Sequence, residues 1–194
     1  MASSTLRQRS RRTWVPSTTC PHLAIDCHGR LDVLVNNADA FCLGGIEHTM
    51  DEQYEAVYAT NVVAPASLIR AAVPHLTQTR GSVINLSTAV ARAAFPGTSV
   101  YVSSKAALNQ LTRVLAIELG PLGIRVNAVA PGATKTEMGN DALTAFGEEA
   151  FVSMTPLGRV AEPVDIDQSV CFLASPEGAW ITGQILEASG GMSL

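Results

Sequence analysis

The sequence of 194 residues lacks several patterns by which common enzyme classes are recognised. It contains no G-x-S-x-G turn and no G-x-x-x-x-G-K loop, and its only lysines are Lys105 and Lys135. These absences exclude the nucleophile turn of α/β-hydrolases and the phosphate loop of P-loop nucleotide hydrolases. The glycine-rich turns that hold dinucleotide phosphates are also absent, because no glycine precedes Gly29 and no G-x-G-x-x-G or G-x-x-x-G-x-G follows it.

Metal-ligand and disulfide patterns are missing as well. The four cysteines form no C-x-x-C and the four histidines form no H-x-x-H, so we predict no metal site and reduced thiols in a cytoplasmic protein. No uninterrupted apolar run reaches the roughly 18 residues that a membrane-spanning helix needs. We therefore expect no membrane-spanning segment.

Basic residues are concentrated at the start of the chain. Arg7, Arg9, Arg11 and Arg12 lie in a stretch without acidic residues, and taking them from the 13 basic residues leaves nine against 17 acidic ones. A body with this excess of acid is not expected to bind nucleic acid. We predict that residues 1–23 are disordered or foreign to the domain that follows; their Arg- and Ser-rich composition makes organelle targeting the alternative.

Residues 81–105 read as a strand, a loop and the start of a helix. The strand is the apolar run at 83–86, the loop is closed by Pro96 and Gly97, and Ser99 is the predicted cap of a helix from about residue 100. Tyr101 and Lys105 would then lie one turn apart on one helix face. Polar side chains at the end of such a strand commonly form ligand sites.

This arrangement suggests acid–base chemistry. A phenol ionises near pH 10, and a nearby ammonium group stabilises the phenolate, so Lys105 is predicted to lower the pKa of Tyr101 towards neutrality. A hydroxyl of Ser87 or Thr88 could hold a substrate oxygen while charge develops on it. On spacing alone, a tyrosine and a lysine four residues apart on a helix are more often coincidental.

Seven motifs in register resemble the short-chain dehydrogenase/reductase family from about residue 24 to the C-terminus. They are N-N-A-D at 36–39, Asn61, L-S-T at 86–88, Y-V-S-S-K at 101–105, I-R-V-N at 124–127, P-G-A-T-K-T at 131–136 and the glycine-rich end of the chain. The resemblance implies an α/β fold, a Rossmann-like doubly wound parallel sheet truncated at its N-terminal half, with residues 24–194 as the C-terminal part of the domain.

The resemblance also implies a function. It predicts an NAD(P)-dependent oxidoreductase that moves a hydride between the nicotinamide of NAD or NADP and a small carbonyl or alcohol substrate. Tyr101 would exchange the proton, Lys105 would hold the cofactor ribose, and Asn61 would complete a proton relay. Thr88 lies at the family's position for the substrate-orienting hydroxyl, with Ser87 as the alternative.

Further cofactor contacts follow from the same resemblance. They are expected at Asn36, Asn37, Ala38, Pro131, Gly132, Thr134 and Thr136, together with Tyr101 and Lys105. Asp39 stands where the family has glycine. It is predicted either to weaken cofactor binding or to be a surface residue without effect.

The N-terminal strands and helices of the family, with their glycine-rich turn, are not found in this sequence. The adenosine half of the cofactor then has no identifiable site, and the strand at 31–35 is expected at a sheet edge.

The alternative function is an inactive family member that acts only through oligomerisation. The helices at 61–78 and 101–119, apolar on most sides, are the predicted interface of a homodimer or homotetramer. Residues 137–159 are the predicted lid over the substrate.

Overall fold

The computed structural model describes residues 19–192. Its centre is a four-stranded parallel sheet in the order β1-β2-β3-β4. The strands are β1 (Val33–Asn36), β2 (Ser82–Leu86), β3 (Arg125–Pro131) and β4 (Ile185–Ala188). In the register of β1 and β2, Val33 lies opposite Ser82 and Asn36 opposite Asn85. The predicted strands at 31–35, 83–86 and 124–130 are therefore present, with ends shifted by one or two residues.

Seven α-helices connect and cover these strands within the described residues. They are α1 (Thr19–His28), α2 (Asp51–Tyr58), α3 (Ala64–Thr79), α4 (Ser99–Leu119), α5 (Glu137–Phe146), α6 (Glu148–Ser153) and α7 (Pro163–Ala174). Between α2 and α3 the chain forms a π-helical segment, Ala59–Val63, so that helical structure is continuous from Asp51 to Thr79.

Helices pack on both faces of the sheet. On one face α3 and α4 enclose a core cluster that includes Ile69, Leu76 and Val83. On the other face α7 contributes Ile166 and Leu173, which pack around Ile84 and Val129. Because successive strand residues point to opposite sides, Val83 of β2 packs in one cluster and Ile84 in the other. Burying an aliphatic side chain of this size stabilises a fold by about 1.5–3 kcal/mol. The predicted doubly wound sheet is confirmed.

A ladder of buried amides and hydroxyls ties β1, β2 and α4 together. The Asn36 amide donates to Asn85 Oδ1 at 2.7 Å, and the Asn85 amide donates to Thr112 Oγ1 at 2.9 Å. The Thr112 hydroxyl in turn donates to the carbonyl of Leu108. All three side chains of the ladder are buried, and each donor has found an acceptor, as buried polar groups require. The ladder fixes β1 at the sheet edge that was predicted for it.

Two local predictions are corrected. Residues 1–23 were predicted to be disordered or foreign to the domain that follows, and residues 19–23 are not disordered, because they form the first half of α1; that they are foreign to the domain stays a prediction. Pro21 fits there because the amides in the first turn of a helix have no hydrogen-bond partner within the helix. The rest of that segment, residues 1–18, lies outside the described residues. Ser99 is the first residue of α4 and not its cap, and Thr98 precedes it with its hydroxyl bonded to the Phe95 carbonyl.

The helical stretch from Asp51 to Thr79 is long and apolar enough to cross a membrane on length and composition alone. A core helix of a globular protein passes the same test, and here Ile69, Ala72 and Leu76 lie buried against the sheet. One such helix is weak evidence, and the expectation that no segment spans a membrane stays a prediction.

Candidate active site

The predicted site residues meet at the carboxyl end of β2. Tyr101 and Lys105 lie one turn apart on the buried face of α4, and the Lys105 ammonium is 5.7 Å from the centre of the Tyr101 ring. Tyr101 is 9% exposed and Lys105 only 1%. Lys105 Nζ donates a hydrogen bond of 2.8 Å to the carbonyl of Leu86, the last residue of β2. The strand end therefore holds the lysine beside the tyrosine.

A carboxylate joins this pair. Asp39 lies in the loop after β1, and its Oδ2 accepts a hydrogen bond of 3.0 Å from the Tyr101 hydroxyl. Its Oδ1 forms an ion pair of 3.1 Å with Lys105 Nζ. Asp39 thus bridges the two groups that the sequence marked as the acid–base pair. Neither prediction for Asp39, weakened cofactor binding or no effect, included this contact.

The electrostatics of Tyr101 differ from the prediction. Burial raises the pKa of Tyr101 well above its ordinary value, and the charge of Asp39 and its hydrogen bond raise it further. A hydrogen bond with Thr88 acts in the opposite direction. Burial lowers the pKa of Lys105, and Asp39 offsets part of that effect. The prediction that Lys105 lowers the pKa of Tyr101 is therefore wrong for this arrangement, because burial and, after it, the Asp39 carboxylate raise that pKa.

The two candidate hydroxyls after β2 have different surroundings. Thr88 is half-buried and lies within hydrogen-bonding reach of Tyr101. Ser87 is buried, its backbone amide bonds to the Val129 carbonyl, and its hydroxyl has no hydrogen-bond partner within the described chain. Of the two alternatives, Thr88 is the one beside the phenol.

Asn61 occupies the π-helical segment and is fully buried. Its Oδ1 accepts from the Ala40 amide at 2.8 Å, and its Nδ2 donates to the Ala40 carbonyl at 2.9 Å and to Ser104 Oγ at 3.0 Å. Asn61 therefore holds the backbone of Ala40, the residue after Asp39, through two hydrogen bonds. π-helical turns often mark functional positions. Its predicted relay role stays a prediction.

The predicted cofactor residues after β1 differ in their exposure to solvent. Asn37 and Ala38 are exposed in the loop after β1. Asn36 uses its amide nitrogen on Asn85, while its buried Oδ1 has no hydrogen-bond partner in the described chain. A buried oxygen of this kind and the Ser87 hydroxyl, both at strand ends, are compatible with a bound polar ligand.

The contacts predicted after β3 are engaged within the chain. Pro131 ends β3, and the Gly132 amide donates to the Ala188 carbonyl of β4. The Thr134 hydroxyl donates to the Gly132 carbonyl, and Thr136 caps α5 by accepting from the Gly139 amide at 3.0 Å. Their predicted cofactor roles stay predictions, but in this arrangement both threonine hydroxyls have structural partners.

The predicted lid comprises α5, α6 and the loop before α7. Phe146 and Phe151 pack edge to face with ring centres 6.4 Å apart. A cavity of about 460 Å³ beside the lid is lined largely by charged groups, including Lys135, Glu148 and Arg159. Tyr101 does not line it.

Sequence reasoning missed several polar residues that organise the site. Ser104 joins Asn61 to the Tyr101 carbonyl, and Asn127 fixes the approach to β4 by bonding Ile181 and Gln184. Asparagine within an apolar strand is a usable signal, because a buried amide requires partners.

Among the described residues no cluster of three potential metal ligands occurs.

Comparison with known proteins places this geometry in a family. A family model described as enoyl-(acyl carrier protein) reductase matches residues 22–193. An uncharacterised oxidoreductase of Methylorubrum extorquens is 42% identical over 171 residues, which cover 87% of this chain and 68% of that protein. The chain belongs to the short-chain dehydrogenase/reductase family.

Solved structures agree with this membership. ElxO with NADP bound superposes with a TM-score of 0.83 at 30% identity, covering 90% of this chain and 72% of that one. A 3-ketoacyl-(acyl-carrier-protein) reductase of Brucella melitensis, complexed with NADH, gives 0.83 at 28% identity and covers 92% and 74%. Both solved structures therefore share most of the fold of this chain.

Proposed function

We propose that this chain is an NAD(P)-dependent oxidoreductase that interconverts a carbonyl group and an alcohol at the Tyr101 hydroxyl. The observation that carries the proposal is the meeting of Tyr101, Lys105 and Thr88 at the carboxyl end of β2. Polar groups at this edge of a parallel sheet are where open α/β folds bind ligands.

Each residue has a defined role in the proposal. Tyr101 gives a proton to the substrate oxygen in reduction and takes it back in oxidation. Thr88 donates a hydrogen bond to the same oxygen as negative charge develops on it. Lys105 holds positive charge beside the phenol and offers its ammonium to a cofactor hydroxyl. Bound NAD or NADP supplies or accepts the hydride. Asn36 Oδ1 and the Ser87 hydroxyl, which have no hydrogen-bond partner in the described chain, would gain partners when a polar ligand is bound at these strand ends.

The substrate class is drawn from the relatives. The matching family model is described as an enoyl-(acyl carrier protein) reductase, and the Brucella structure is a 3-ketoacyl-(acyl-carrier-protein) reductase. A 3-oxoacyl thioester is therefore the first small-molecule substrate to test, and acetoacetyl-coenzyme A is a convenient probe. Both NADH and NADPH belong in the assay, because the solved relatives carry NADP or NADH.

The Tyr101→Phe variant tests the function. It keeps the ring in place and removes only the hydroxyl, so we expect turnover of acetoacetyl-coenzyme A to fall about 100-fold or more. Tyr58→Phe, on α2, is the matched control and should retain activity. The measurement is the loss of NADPH or NADH absorbance. Equal rates for the parent and Tyr101→Phe would contradict the proposal.

An inactive member that acts through oligomerisation is the second candidate. Two observations favour it: Asp39 occupies both polar groups of the acid–base pair, and α4 exposes Val114 and Ile117 on its outer side. Cofactor binding separates the candidates. Micromolar binding of NADPH, followed by energy transfer from Trp180, supports the enzyme, whereas no binding at millimolar NADPH and NADH supports the inactive member.

A further inference from the structure

The carboxylate of Asp39 fills the space between the two reactive groups. One oxygen accepts from the Tyr101 hydroxyl at 3.0 Å and the other pairs with Lys105 Nζ at 3.1 Å. A phenol has one proton to donate, so Asp39 takes the only donor that Tyr101 can offer a ligand. Lys105 has also committed a donor to the Leu86 carbonyl. The Asp39 carboxylate therefore occupies the position from which an oxygen atom of a ligand would contact Tyr101 and Lys105.

The loop around Asp39 is held in place on both sides. Asn61 accepts from the amide and donates to the carbonyl of Ala40, the residue after Asp39. Phe41 packs edge to face on the Tyr101 ring, with ring centres 4.9 Å apart. A fully buried amide that bonds both backbone groups of one residue gives a directional restraint. The contact between Asp39 and Tyr101 is therefore supported by Asn61 of the π-helical segment and by the packing of Phe41, from the same loop, on the Tyr101 ring.

Charge balance gives this contact its chemical effect. An ammonium group beside a phenol favours the phenolate, and a carboxylate beside a phenol opposes it. Here the carboxylate of Asp39 contacts both groups. Its negative charge therefore opposes the stabilisation of a Tyr101 phenolate that the positive charge of Lys105 would otherwise give.

We propose that Asp39 is a positioning residue that holds the site in a resting arrangement, and that a ligand oxygen can reach Tyr101 and Lys105 only when the Asp39 carboxylate moves away. The proposal concerns the site of the proposed function, but the contact itself does not depend on any reaction. Asn61 sets the position from which Asp39 must move. Replacing the carboxylate with a neutral group should therefore open the pair to ligands and free the charge of Lys105.

The test is an alkaline ultraviolet titration of the phenolate in the full chain. Subtracting the spectrum of the matching Tyr101→Phe protein isolates Tyr101 from the other two tyrosines. Asp39→Asn keeps the size of the side chain and removes its charge, and we expect it to move the Tyr101 ionisation to lower pH by at least about one pH unit. Asp32→Asn is the matched control, because it removes a carboxylate that is paired with Arg30 on the surface.

The outcomes are distinct. Lower-pH ionisation of Tyr101 in Asp39→Asn, with Asp32→Asn like the parent, supports the proposal; an unchanged Tyr101 titration in Asp39→Asn overturns it. Thermal melting checks folding, and Asp39→Ala replaces the asparagine variant if that protein is unfolded. NADPH titration of Asp39→Ala is the second readout; this variant removes the group that lies between Tyr101 and Lys105, so we expect NADPH to bind at least about tenfold tighter. A shifted Tyr101 titration without NADPH binding in any variant would leave this proposal standing and reject the proposed function.

Discussion

At the scale of single residues, the start of α7 shows how local geometry controls a carboxylate. Arg159 meets Asp165 through two hydrogen bonds of 2.6 and 2.8 Å, and Asp165 Oδ2 also accepts from the Glu162 amide at 2.8 Å. Hydrogen bonds to a charged carboxylate favour the charged form. The Arg159 contact, helped by that backbone amide, lowers the pKa of Asp165 to about 2.

This shift predicts a pH-dependent contribution to stability. Because the pKa of Asp165 is lower in the folded than in the unfolded chain, its contribution is present above about pH 4 and is lost as pH falls towards 2. We expect Asp165→Asn to melt below the parent at pH 6 and the difference to disappear near pH 2. Melting curves across this range measure it, with Asp167→Asn as the control for loss of one acidic group. A difference that is constant with pH would contradict the prediction.

That Tyr101 and Lys105 share one helix face was predictable from their spacing, but their contact with Asp39 was not. Tyr101 and Lys105 are four residues apart, and a helix brings such residues to one face. Asp39 is 62 residues from Tyr101 and reaches it from a loop. Loop conformation depends on tertiary contacts, here those of Asn61 with Ala40, which no local pattern contains. The sequence marked Asp39 as unusual but could not indicate what it contacts.

At the scale of elements, α5 depends on a close approach between its first turn and the loop that precedes it. A Cβ atom at Gly139 would overlap the carbonyl oxygen of Thr134, whose loop the helix start contacts. Gly120, after the end of α4, has helical backbone angles, and a Cβ atom there would meet nothing within 4 Å. The two glycines thus offer opposite environments for the same substitution.

Gly139 and Gly120 are predicted to respond differently to replacement by alanine. Alanine is favoured over glycine in helices by about 1 kcal/mol, so helix propensity alone predicts that Gly139→Ala stabilises the chain. We expect the reverse, because the added methyl must displace α5 or the Thr134 carbonyl. Gly120→Ala should be neutral or stabilising. Urea unfolding measures both, and a Gly139→Ala protein as stable as Gly120→Ala would show that the approach is looser than the structure has it.

Strands were easier to predict than the polar roles of the loops after them. The apolar run of β2 identified a buried strand, and the structure changed only its ends. Thr136 was expected to contact the cofactor, and that role stays a prediction; the structure adds that its hydroxyl caps α5 by accepting from the Gly139 amide. A threonine before a helix is compatible with either role, so its place in the sequence does not by itself indicate the cap.

At the scale of the whole molecule, α4 presents apolar side chains to solvent on the side away from the sheet. Ile117 is 78% exposed and Val114 is 40% exposed. Val63, at the end of the π-helical segment, is also exposed. These residues lie on the two helices predicted to form a homo-oligomer, and paired helix faces of this kind form isologous interfaces.

We expect Ile117→Glu to shift the chain towards monomer, because a charge in the centre of an apolar interface would be desolvated. Sedimentation velocity of the parent and the variant at equal concentration measures the change. Leu157→Glu, in the predicted lid, is the control, since Leu157 is as exposed as Ile117 but lies on a different element. An oligomer that survives Ile117→Glu unchanged would place the interface elsewhere.

The amide ladder between β1 and β2 has a consequence for how the chain folds. Val33, Leu34 and Val35 are nearly interchangeable, so sliding β1 by two positions along β2 would keep apolar groups on the same sides. The buried bond from Asn36 to Asn85 distinguishes the native pairing from the slipped one, and hydrogen bonds from Thr79 and Ser82 to the Leu31 and Asp32 carbonyls support the same register. A slip would leave the buried Asn85 side chain without this partner at a cost of about 1–3 kcal/mol, so one pair of asparagines favours the correct alignment of a strand whose apolar pattern is ambiguous.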